Sequence, residues 1–322
     1  MEDQKNPSQR ELVDADVRRL NEQFYISFDS KYFMQKCMYL AAIISKPDVI
    51  SQVLTDGVAF KKLQLQIDES EISMFSSASF VRNLRSEVAL TYFHAVETLF
   101  RLFFAHASTN DCPWFEVSTN NDFSQFKRDV RDYRERKYFT TDHQEALAEI
   151  FFGRVEAPAE KITPDVWSKS LLNLSEFMDY FADQLLESFA YNSYKHGLAV
   201  FNKDFGFSLG DIMKVDKDDA FLFLSHEKDE VRKGFHKLYR NYVFTQWESK
   251  FALVYQLTHI LENLISVGKG RYVGGEYKLH TFENFNLIAI IKNGDSVLQP
   301  SSVKESSFSF EAPKKSKAQK KN

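Results

Sequence analysis

The sequence predicts a mainly α-helical bundle with long helices, a small β element in its C-terminal third and a disordered basic tail. Two observations carry this expectation. Only 11 glycines and 7 prolines punctuate 322 residues, while Leu, Glu, Lys, Ala and Gln, which lose little rotamer freedom in a helix, recur in long stretches. Apolar residues also recur at steps of three and four, the spacing that keeps side chains on one helix face. A chain of this length buries a core without staples, and its 31 phenylalanines serve to fill the space between helices.

Taken in order, Val13, Val17, Leu20 and Phe24 give a weak amphipathic helix within the first 27 residues. Tyr32, Phe33, Met38, Leu40, Ala41, Ile43 and Ile44 predict a helix or short buried segment over 30–45, with a break and restart at Pro47 and Ser45 as a candidate cap. The first long helix is expected near 73–106. Leu84, Val88, Thr91, Ala95, Leu99 and Leu102 form one apolar stripe, and Leu90, Phe93, Phe100 and Phe104 the next. Glu97 lies inside the second stripe, where it either pairs with Arg101 one turn on or serves a site as its acidic partner.

Residues 107–121 read as a loop, 122–137 as a charged amphipathic helix and 141–152 as another with Asp142 near its start. Lys127, Arg128, Arg131, Arg134, Arg136 and Lys137 alternate with acids, the pattern of a solvated helix face rather than a phosphate track. Thr163 as N-cap and Pro164 at the first helical position open a helix running to His196, where Gly197 stops it. Asn202 to Gly206 suggests a turn and Ala220 to Ser225 a strand. A second long helix is expected over 227–267, carrying Leu238, Val243, Trp247, Phe251, Val254 and Leu261 and ended by Gly268 and Gly270. Tyr277 to Phe282 and Leu287 to Ile291 have strand chemistry and are expected to pair with 220–225. Beyond Pro300, the Ser-, Lys- and Gln-rich run through Lys314, Lys315, Lys317, Lys320 and Lys321 carries too little apolar area to order itself. The expected divisions are thus 1–70, a helical region; 71–200, the bundle core; 201–299, the long helix and β element; and 300–322, the tail.

A formal net charge of -4 excludes a whole-molecule footprint for tight nonspecific nucleic-acid binding, so any such contact is local. Cys37 and Cys112 have neither metal-ligand spacing nor the number for a disulfide framework, which suits a reducing cytoplasm. The N-terminal residues lack a signal-peptide core and no run of about 18 uninterrupted apolar residues occurs, so no membrane association is expected. Phosphate-loop, dinucleotide-fingerprint, zinc-protease and nucleophile-elbow motifs are missing. The eight histidines are scattered rather than spaced as a ligand set, so neither zinc nor another cofactor is implied.

The informative stretch is Asn192-Ser193-Tyr194-Lys195-His196-Gly197. It continues the stripe of Phe177, Phe181, Leu185 and Phe189 at steps of three and four, so a core-directed face ends in an amide and an imidazole. Buried polar groups cost roughly 1 to 3 kcal/mol each unless hydrogen-bonded. Asn192 and His196 therefore need a partner, a cleft or an interface. One reading is structural: both hydrogen-bond across the bundle, Lys195 sits favourably at the negative end of the helix dipole, and Gly197 terminates the helix.

The other follows from a resemblance. Tyr191-Asn192-Ser193-Tyr194-Lys195-His196 is similar to the motif of the HEPN superfamily (higher eukaryotes and prokaryotes nucleotide-binding), in which an Arg, commonly followed by Asn or another polar residue, precedes a His by four to six positions near the end of a long helix. Ala95 to Phe100, with Glu97 embedded, looks like an early helix of that bundle, and together the two cover about residues 75–200. Many members are metal-independent RNases acting as homodimers. The resemblance therefore implies RNA or nucleotide as ligand and a composite cleft, with His196 as general acid or base and Asn192 orienting the imidazole or phosphate. Tyr191 occupies the Arg position, and Lys195 is a single flexible charge where a bidentate fork is usual. The resemblance thus supports either an endoribonuclease, in stress response or defence against mobile elements, or a noncatalytic binding or scaffold protein.

Overall fold

The computed structural model of the chain describes residues 14–60, 63–65, 68, 78–108, 110–119, 122–157, 162–187, 191, 200–209, 213–228, 235–276, 278–294 and 302–311. It is mainly α-helical with a β element in the C-terminal third, as the residue spacing predicts. The helices are α1 (Asp14–Ser27), α2 (Tyr32–Ser45), α3 (Asp48–Thr55), α4 (Ala78–Ala107), α5 (Pro113–Thr119), α6 (Phe123–Arg134), α7 (His143–Phe152), α8 (Pro164–Leu186), α9 (Trp247–Tyr272) and α10 (Leu287–Gly294). The strands are β1 (Val58–Phe60), β2 (Leu63–Leu65), β3 (Val200–Leu209), β4 (Met213–Lys228), β5 (Phe235–Phe244) and β6 (Ser302–Glu311). Contacts divide the chain into two units interleaved along the sequence, one of Met1–Tyr39, Thr91–Glu187 and Ser249–Asn293, the other of Leu40–Leu90, Ser188–Glu248 and Gly294–Asn322.

Helix ends in the first unit follow from local chemistry. The Asp122 carboxylate accepts from the N–H groups of Ser124 and Gln125, Asp142 does the same for Gln144 and Glu145, and the Thr163 hydroxyl accepts from Val166 with Pro164 behind it. Each cap supplies an acceptor to donors that no helical carbonyl reaches. Gly153 closes α7 at φ 71, a left-handed conformation that a side chain resists. The core is aromatic: Phe100, Phe103, Tyr133, Phe151, Phe177, Phe181 and Phe282 are fully buried. Phe103 meets Tyr133 edge-on at 5.4 Å and stacks on Phe151 at 5.7 Å, the arrangements that the ring quadrupole favours. The phenylalanines thus fill the inter-helix space as expected.

The basic run 127–137 is solvated and ion-paired at its end. Arg134 Nε donates to Asp183 at 2.8 Å, and Arg136 donates to both oxygens of Asp179 at 2.8 and 2.6 Å. Those guanidiniums are committed to α8, in keeping with the non-phosphate reading. Although α4 has the length and composition of a membrane span, 78% of its most apolar stretch is buried inside the molecule, so its apolarity serves packing.

In the second unit β1 pairs antiparallel with β2, and β3-β4-β5-β6 form a four-stranded antiparallel sheet in that order. Ala220 faces Phe244 and Leu222 faces Tyr242 across β4 and β5, a small cluster in which Ala220, Tyr242 and Phe244 are buried. Such cross-strand pairs are the unit of sheet stability.

Several sequence expectations are corrected here. The helix expected over 227–267 is a strand over its first part: β5 occupies 235–244 and α9 starts only at Trp247. It then runs through Gly268 and Gly270 to Tyr272. Residues 220–225 lie in β4 but pair with β3 and β5, whereas 278–282 form a loop and 287–291 belong to α10. The expected turn at 202–206 lies inside β3, and the expected loop 107–121 contains α5. Pro47, not Ser45, holds the cap position of α3, while the Ser45 hydroxyl donates back to Ala41 O. The tail expected from 300 contains β6, which pairs with β5 from Val243–Ser302 to Phe235–Glu311. The lysines from Lys314 onward lie outside the described residues.

Candidate functional site

The site expected on the motif helix is only partly described. Helix α8 buries Phe177, Phe181 and Leu185 on one face, so the stripe leading toward the motif is core-directed. It ends at Leu186, with the Glu187 N–H donating to Asp183 O at 3.0 Å. Tyr191 is buried, at 6% exposure. Asn192, Lys195 and His196, the proposed catalytic and binding groups beside it, lie outside the described residues, as does Phe189.

Glu97 is 3% exposed on α4, and its Oε1 accepts from Arg101 Nε at 2.9 Å. An isolated carboxylate at that depth would cost several kcal/mol; the i,i+4 arginine offsets this, which favours the ion-pair reading of Glu97 over the site-partner reading. Arg101 in turn lies over the Phe126 ring, 4.4 Å from its centroid. Beside it is a cavity of about 50 Å³ lined by Arg101, Phe104, Glu116, Phe126, Asp129 and Tyr138. A water occupies about 30 Å³ and a small-molecule ligand needs some 300 Å³ or more. This cavity suits water and not a nucleotide. Glu97 belongs to the first unit and Tyr191 to the second.

A different constellation is drawn together in the first unit. His259 and Glu262 stand three apart on α9, and His280 comes from the loop that follows that helix. Glu262 Oε2 is 3.1 Å from His259 Nδ1 and 3.0 Å from His280 Nε2, while Oε1 faces Lys31 Nζ at 3.5 Å. The two imidazole centroids are 4.6 Å apart. The edge-on ring of Tyr255 lies 4.9 Å from His259. His-x-x-Glu on a helix was readable as an i,i+3 pair. The approach of His280 was not, because its segment has strand chemistry and nothing in its spacing shows the loop turning back onto α9.

The loop is fastened at two points. The Asn263 amide, fully buried on α9, donates to His280 O at 2.9 Å and accepts from His280 N at 2.7 Å. Phe282, also fully buried, has its N–H bonded to Ser170 Oγ at 3.0 Å and its carbonyl to Asn173 Nδ2 at 2.7 Å. Each buried polar side chain thus meets a backbone group that would otherwise be orphaned.

No family model, curated protein or solved structure matches this chain.

Proposed function

We propose that the chain is a HEPN-like helical protein that binds RNA or nucleotide as a cytoplasmic homodimer without cleaving it. The observation that supports the noncatalytic side of this reading is Tyr191, a buried phenol at the motif position where a guanidinium would grip phosphate through two hydrogen bonds. Glu97, the acid weighed as a site partner, is held by Arg101. Free, buried Cys37 and Cys112 accord with a reducing compartment. Binding of the full-length chain to single-stranded RNA and to nucleotides, measured by filter retention alongside light scattering, is expected to be saturable, dimeric and without turnover.

A metal-independent endoribonuclease is the second reading, favoured by the four-residue spacing of Asn192 and His196, which on a helix puts an amide within reach of an imidazole. It expects RNA cleavage in EDTA that leaves a cyclic phosphate end and disappears in His196→Ala. That result would replace the noncatalytic reading; failure to bind either ligand would remove both. His196→Ala is a cleaner probe than Tyr191→Arg, because the latter inserts an ion into a buried site that holds a phenol.

A further inference from the structure

We propose that His259, Glu262 and His280 are joint ligands of one borderline divalent transition-metal ion of the zinc class. The donor set comes first: two imidazole nitrogens and a carboxylate oxygen suit zinc, iron(II), cobalt(II) and nickel(II) better than magnesium or calcium, which take oxygen. Three protein ligands also leave a position for water.

Donors at about 2.0–2.1 Å from a common ion in tetrahedral array lie roughly 3.3 Å from one another. Glu262 Oε2 is 3.1 and 3.0 Å from the two imidazole nitrogens, and one donor atom from each residue falls within 4.8 Å of the others. Both Glu262 spacings are within a few tenths of an ångström of the tetrahedral value. An imidazole ligates through a bare nitrogen, so with the ion bound each ring carries its proton on the nitrogen that faces away from it.

These ligands are also held before any ion arrives. His259 and Glu262 share a helix face, and the backbone of His280 is clamped on both its N–H and its C=O by Asn263, the residue after Glu262. Two residues further on, Phe282 is clamped by Ser170 and Asn173 of α8. A ligand on a loop fastened in this way is as fixed as one on a helix, which is what tight metal sites require. Lys31 engages the opposite carboxylate oxygen, Oε1, and leaves Oε2 to the imidazoles. The His280 side chain is 45% exposed, so an ion enters from solvent. Bound there, it fastens α9 to the 278–286 loop and raises the stability of the folded chain by mass action. This site is independent of the RNA-binding reading.

The test is a titration of chelator-treated, dialysed full-length protein with zinc by calorimetry and with cobalt(II) by visible absorption. One equivalent per chain is expected, with cobalt bands of low-coordinate N/O ligation and a zinc-dependent rise in Tm. His280→Ala and Glu262→Gln should each weaken zinc binding roughly tenfold or more and abolish the rise in Tm, as even a supporting residue typically contributes ten- to hundredfold. His280 is half exposed, so its variant should keep the wild-type circular dichroism spectrum. Asn263→Ala gives a positioning readout: weaker binding with unchanged stoichiometry. Absence of saturable binding, or zinc affinity and Tm response unchanged in both His280→Ala and Glu262→Gln, would overturn the proposal.

Discussion

A hydrogen is the only side chain that fits at position 268. Gly268 lies on α9 against a buried pair in which the Tyr25 hydroxyl meets His106 Nε2 at 2.8 Å, and a β-carbon built on it would stand 2.6 Å from that nitrogen and against the hydroxyl. Alanine in a helix interior gains roughly 0.5–1 kcal/mol over glycine, whereas overpacking costs about 1–3 kcal/mol. Gly268→Ala is therefore expected to lose about 1–2 kcal/mol, read as a lower urea midpoint at unchanged slope. The same pair fixes a tautomer. His106 Nδ1 lies 2.7 Å from the Leu102 carbonyl, an acceptor only, so Nδ1 carries the proton and Nε2 accepts from Tyr25. Burial drives the His106 pKa down to about 4. The unfolded chain then takes up a proton below about pH 6.5 that the folded chain refuses, so stability falls with acidification between those two values. The loss from this group approaches the order of 3 kcal/mol at pH 4. Urea midpoints at pH 7, 6 and 5 should decline, and His106→Leu, although less stable at pH 7, should decline less steeply.

Elements whose ends carry their own chemistry were legible; those decided by a partner were not. Asp122, Asp142, Thr163 and Pro164 announce α6, α7 and α8, and all of them cap or open those helices in the structure. The expected strand at 287–291 became α10 because apolar Leu-Ile-Ala-Ile-Ile fits either state, and the Asn286 side chain decides by accepting from Ala289 N at 2.8 Å. Strand β5 was hidden in an expected helix. Its alternating Leu238, Tyr242 and Phe244 acquire meaning only beside β4, whose register puts Phe244 opposite Ala220. The break between β5 and α9 is made at Gln246, at φ 48, a left-handed conformation that costs an ordinary residue about 1–2 kcal/mol. Gln246→Gly removes that crowding and gives back part of the gain as unfolded-chain entropy. It should raise the unfolding free energy by up to about 1 kcal/mol, while Gln246→Val, β-branched at positive φ, should lower it by about 1 kcal/mol or more, both read from urea midpoints. A helix continuous through 246 would reverse that order.

At the scale of the whole chain, the helical class was set by pattern and the interleaving of the two units was not, since contact between distant segments leaves no period in a sequence. The same is true of the candidate sites. Asn192 and His196 stood out because they interrupt an apolar stripe, whereas His259, Glu262 and His280 become a set only when the 278–286 loop folds back onto α9. The end of the chain shows how composition misleads. The Ser- and Lys-rich stretch after Pro300 looks unable to order itself, yet Phe308 and Phe310 recur at period two within Ser302–Glu311 and that segment pairs with β5 through nine residue pairs. A strand needs its neighbour, and β5 supplies the ladder. The consequence separates two truncations. Ending the chain after Glu311 removes the lysine-rich segment and should leave the unfolding free energy within about 0.5 kcal/mol of the full chain. Ending it after Pro300 removes β6 and strips the outer side of β5 of its hydrogen-bond partners, producing an unprotected edge that invites pairing with a second molecule. The shorter chain is expected to unfold at lower urea and to scatter more light on standing. Equal midpoints and equal scattering for the two truncations would mean that β6 contributes nothing to the sheet.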